Sequence, residues 1–150
     1  MDERGVSTVV SYVLVLGIAA LLVSGVFTAT GVVLDREHEQ SVRSGMEVVG
    51  NQVAADIAVA DRLATHAGAS GNVTVTSDLQ GQIARSTYRI EIAEAGGEGQ
   101  YVLTLRSADP AVELSITARS ETPIETGTVD GGSIEIVYDS EAGTLEVRNG

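Results

Sequence analysis

The 150-residue chain contains no cysteine, no tryptophan and no lysine. Without cysteine there is neither a disulfide staple nor a thiolate metal site, and the redox compartment leaves no mark. Beyond Leu34 the only aromatic residues are Tyr88, Tyr101 and Tyr138, so aliphatic side chains must supply nearly all of any core. The nine basic residues are all arginine and face twenty-one acids. So acidic a surface repels itself in dilute salt, whereas at molar salt the Debye length is about 3 Å and the repulsion is largely screened. That balance suits a salt-loving organism, although an acidic extracellular protein from a GC-rich genome would share it. Nucleic acid is not an expected partner, because phosphate binding needs a basic patch and none is visible.

Charge is also missing locally. Between Arg4 and Asp35 there is none, and Val6 to Leu34 forms a 29-residue apolar run. As a helix it would extend about 44 Å at 1.5 Å per residue. That exceeds the roughly 30 Å hydrocarbon core that a spanning helix must cross. A secretory signal wants a basic start, a shorter apolar stretch and a small-residue cut site behind it. Met1-Asp2-Glu3-Arg4 is net acidic, the run is about twice too long, and Val23-Ser24-Gly25 is at best a weak cut site. Lys/Arg bias does not choose an orientation, since Arg4 on one side faces Arg36 and Arg43 on the other.

After Leu34 the pattern turns amphipathic. Val42, Met46, Val49, Val53, Ile57, Ala60 and Ala64 recur at spacings of three and four, with Arg43, Glu47, Asn51, Asp56 and Asp61 opposite. One helix, or two stacked helices, is expected from about Val6 to Ala67, with a bend allowed near Gly45 and Gly50 and Gly68 as C-terminal cap. From Asn72 onward the period is two: Val73/Val75, Tyr88/Ile90/Ile92, Tyr101/Leu103/Leu105, Val112/Leu114/Ile116, Ile134/Ile136/Tyr138 and Leu145/Val147. Short turns such as Gly96-Gly97-Glu98-Gly99, Asp109-Pro110 and Asp130-Gly131-Gly132 separate these strands, which argues for antiparallel pairing with one buried face. The amphipathic stripe is the obvious cover for that face. The fold class is therefore α+β: a long N-terminal helix, half membrane and half amphipathic, packed on a small antiparallel β-sheet.

This plan resembles type IV pilin subunits. Arg4-Gly5-Val6-Ser7 is similar to the archaeal prepilin (class III) processing site, in which a charged residue and then Gly or Ala precede the cut. Val6-Ser7-Thr8-Val9-Val10 resembles the start of haloarchaeal pilin helices, commonly Val-Ser-Pro-Val-Ile, with Thr8 in place of Pro. The resemblance implies a leader at residues 1–5, a transmembrane and filament-core helix at 6–34, an amphipathic helix at 35–67 and an antiparallel β head at 68–150. It implies cleavage after Gly5 by a membrane-embedded prepilin peptidase, with the membrane and other pilin subunits as partners. The expected product is a structural, non-enzymatic subunit of a cell-surface filament, minor or accessory, with its head extracellular. Where bacterial pilins carry a Glu as fifth residue of the mature chain, this chain has Val10, as haloarchaeal pilins generally lack that Glu. The alternative is an uncut single-pass protein displaying a small extracellular binding domain.

Filament packing requires a surface on which helices approach closely. Gly17, Ala20, Ser24, Thr28 and Gly31 form a small-residue seam for it. Asn72-Val73-Thr74 is an N-glycosylation sequon. His38, between Glu37 and Glu39, makes a poor metal site because neighbouring helical side chains diverge. His66 sits near a helix end and reads as a structural or solvated residue. No catalytic grouping, cofactor site or metal site is expected, and the glycine cluster 96–99 lies between strands rather than before a helix, so it reads as a hairpin turn.

Overall fold

The computed structural model describes residues 3–67 and 72–150, with side chains described for 9–26, 35–67 and 72–150. Gly68, expected as a helix cap, lies outside the described residues. Two compact units are present, Met1–Glu37 and His38–Gly150. The helix α1 (Glu3–Ala67) supplies all the described structure of the first unit and the opening element of the second.

Within the second unit, Val42, Met46, Val49, Val53, Ile57, Ala60 and Ala64 are all buried, as their spacing predicts. Each larger side chain so buried contributes roughly 1.5–3 kcal/mol. Helical structure runs through Gly45 and Gly50 without interruption. Their role is clearance. A Cβ on Gly45 would overlap Ile83 Cγ2, and one on Gly50 would lie 2.5 Å from Ile116 Cδ1 and 3.0 Å from Leu105 Cδ1. The missing side chains let the helix lie close against the strands.

The strands are β1 (Val73–Asp78), β2 (Gln82–Ile83), β3 (Ser86–Glu94), β4 (Gln100–Ala108), β5 (Ala111–Arg119), β6 (Gly127–Asp130), β7 (Ser133–Asp139) and β8 (Thr144–Asn149). The single sheet expected from alternation is in fact two. One has the order β1-β7-β8; the other runs β2-β3-β4-β5, with β6 also paired to β3. All strand pairs are antiparallel. Alternation reports which face of a strand is buried, not which strand lies beside it, so the division was invisible to it.

Register aligns the apolar positions into rows. Val129, Ile90, Leu105 and Leu114 form one row across the larger sheet, and Ile92, Leu103 and Ile116 the next. In the smaller sheet Val75, Ile136 and Val147 align, as do Val73, Tyr138 and Leu145. Both sheets and α1 share one apolar core. The segment after β5 ties the pieces together: Tyr101 Oη accepts the Ile124 N–H at 2.9 Å, while Leu145 N donates to Pro123 O and Glu125 N to Leu145 O, each at 2.8 Å.

Candidate functional site

Three regions have the chemistry to act on something outside the chain. The first is the apolar half of α1. Val9–Val26 is long and apolar enough to cross a membrane, with mean hydropathy 2.5 and none of it buried. Its large side chains, Tyr12, Leu14, Leu21 and Leu22 among them, are 51–75 % exposed. A soluble chain rarely leaves so continuous an apolar surface uncovered. Of the expected seam, Gly17, Ala20 and Ser24 fall on one side of the helix by their spacing, and a Cβ on Gly17 would meet nothing within 4 Å. Thr28 and Gly31 lie outside the described side chains, as do Arg4, Gly5, Val6 and Ser7 of the processing motif, whose backbone belongs to α1.

The second region surrounds Asp61, which the helical pattern places on the solvent side. The structure puts it to use instead. Its Oδ1 accepts the Thr122 N–H at 2.8 Å and its Oδ2 the Glu121 N–H at 3.0 Å, while Ser120 Oγ donates to Thr122 O at 2.6 Å. Burial pushes the carboxyl up, but hydrogen bonding, led by the Glu121 N–H and followed by Thr122, outweighs that effect and holds it below the ordinary aspartate value. An open cleft of about 730 Å³ adjoins it, lined by Glu98, Tyr101, Arg119 and Glu121. Both carboxylate oxygens already hold the 120–122 segment to α1, so this is a clamp. No pattern within the helix could reveal it, because its partners lie about sixty residues away.

The third region is the outer face of the larger sheet, whose ion pairs are internal. Arg106 bridges Glu91 at 2.6 Å and Glu113 at 2.8 Å, and Arg89 pairs with Asp130 at 3.0 Å. On the helix, Glu39 and Arg43 pair at 3.8 Å, and His66 Nδ1 lies 2.6 Å from Arg62 O. Among the described residues no group of three or more His, Asp or Glu side chains is placed to hold a metal ion. Asn72 and Thr74 of the sequon are exposed at the start of β1.

The surface that dominates is thus the uncovered helix, joined in one chain to a packed helix-and-sheet unit, and sequence comparison finds that combination as a family. The chain belongs to the family of unknown function DUF7266. The family match takes in residues 1–149, hence both the apolar span and every strand. No curated protein and no solved structure matches the chain significantly.

Proposed function

We propose that the chain is an archaeal type IV pilin-like subunit of a salt-loving organism, minor or accessory in its filament. The prepilin peptidase cuts after Gly5, the apolar helix anchors the mature chain in the membrane, and the same helix then packs among sister subunits while the β head stays outside. The observation that carries this reading is the exposed apolar stretch Val9–Val26, with Arg4-Gly5-Val6-Ser7 one residue ahead of it and a helix that packs on antiparallel sheets after it. A cut ahead of the apolar run keeps that run for later use, whereas a signal peptidase would discard it. With Val10 where an acid could pair with a neighbour's amino terminus, helix contacts must carry assembly, and Gly17, Ala20 and Ser24 allow the close approach this needs.

N-terminal sequencing of the protein from the membrane fraction is the deciding experiment. A mature start at Val6 is expected. An intact Met1 supports an uncut single-pass anchor instead, and a start near Val26 supports ordinary signal cleavage. The seam has its own test. Replacing Ala20 and Ser24 together with Leu leaves membrane insertion intact and blocks filament incorporation; normal incorporation of the double variant removes the seam from the account.

A further inference from the structure

Sheet edges invite pairing with other chains, and proteins blunt them with charge, proline, shortness or cover. The edges here are protected unequally. Edge strand β5 carries Glu113 and Arg119, and the Arg43 guanidinium reaches the Glu113 carbonyl at 3.5 Å. Edge strand β8 carries Glu146 and Arg148, and its Asn149 side chain donates to Asp130 O at 3.0 Å. At the remaining edge of the larger sheet, β2 has two residues and β6 four. Strand β1 differs from all of these. Among the described residues it pairs with β7 alone, and Val73-Thr74-Val75-Thr76-Ser77 carries no charge until Asp78. Four successive β-branched residues on an open edge are the pattern that strand-to-strand association favours.

The sequon falls on this strand. Asn72 and Thr74 are exposed while Val73 and Val75 are half-buried, Val75 against the core, so the acceptor amide and the hydroxyl two residues on share the solvent side. We propose that Asn72 carries an N-linked glycan and that the glycan guards the open edge of β1. In the transfer, the Asn72 amide nitrogen attacks the anomeric carbon of a lipid-linked oligosaccharide. The nitrogen–carbon bond forms, the bond from that carbon to the phosphate oxygen breaks, and the phosphate leaves with the electron pair as the amide proton passes to a base of the transferase. A bulky hydrated group suits this edge in concentrated salt, where charge loses its reach, because steric bulk is not screened.

The proposal rests on the reading that the β head faces the outside, where such donors are presented, and the experiment measures that separately. Intact cells are treated with a protease to establish on which side the head lies. The peptide between Arg62 and Arg85 is then weighed from protein purified out of native membranes. An external head with glycan mass on Asn72 is expected, lost in Asn72→Gln and in Thr74→Ala and kept in Thr74→Ser. An external head with bare Asn72 overturns the glycan while leaving the filament reading intact; an internal head overturns both. The guarding role is read on the purified full-length protein in detergent. Asn72→Gln should raise the associated fraction several-fold, and adding Thr76→Lys to it should restore the wild-type level in dilute salt but not at molar salt, where charge is screened. Equal association of wild type and Asn72→Gln overturns the guard.

Discussion

The two halves of α1 treat their small residues in opposite ways. In the second half, the spaces at Gly45 and Gly50 are filled by Ile83, Ile116 and Leu105 from the sheets. In the first half, a Cβ on Gly17 or Gly25 would meet nothing within 4 Å. The contrast extends to the large side chains: Met46 and Ile57 are wholly buried, whereas Leu14 and Leu21 stand exposed. A helix glycine that already touches a partner belongs to the fold. One that faces open space on an apolar surface belongs to an encounter with lipid or another helix, and the proposed function assigns it both in succession.

The sharpest way to separate the halves is to damage one and watch the other. Ile57→Ala removes a side chain with no exposure from the middle of the core, and such truncations cost about 2–5 kcal/mol. Thermal melting of the strands should fall by the corresponding amount, while fractionation with the membrane is unchanged. If membrane fractionation fell together with melting, the two halves would not be independent.

Asp61 tests the packed half at one point. Asp61→Ala leaves the Glu121 and Thr122 N–H groups without their acceptor, and losing hydrogen bonds to a charged group costs about 1.5–3 kcal/mol. The pH dependence follows from the direction of its shift. The folded state holds the Asp61 carboxyl below its ordinary 3.8, so the unfolded chain takes up its proton first as pH falls. Its contribution is complete above 3.8 and disappears as pH drops through the lower, folded value. Melting temperature measured across that acid range should therefore decline less steeply in Asp61→Asn than in the wild type; parallel curves would show that ionisation of Asp61 contributes nothing to the acid dependence.

Asp61 also marks where sequence reading stops. Helical spacing picks out all seven buried apolar side chains from Val42 to Ala64, because a helix against a flat layer buries a stripe of fixed period. The same spacing set Asp61 among solvated residues, since it is blind to the segment that folds over the helix from beyond β5. Strands of six or more residues showed their period of two. With two and four residues, β2 and β6 are too short to show one. The pairing of β1 with β7 across more than fifty residues, which divides the strands into two sheets, has no local signal at all.

The smallest expected effect tests the comparison most directly, because it applies one substitution to both halves. Alanine at a helix-interior glycine gains about 1 kcal/mol of helix propensity. At Gly45 the added methyl meets Ile83 Cγ2, which is fixed by its branch point and cannot swing away. Overpacking of this kind costs about 1–3 kcal/mol, so Gly45→Ala should lower the melting temperature of the strands slightly or leave it level. Gly50→Ala meets the chain ends Ile116 Cδ1 and Leu105 Cδ1, which can rotate, and should fall closer to the full gain. Gly17→Ala has open space in the chain itself, so strand melting should be untouched and only filament incorporation reduced. Equal melting shifts at Gly17 and Gly45 would mean that the sheets do not set the requirement for glycine, and that propensity alone governs both halves of the helix.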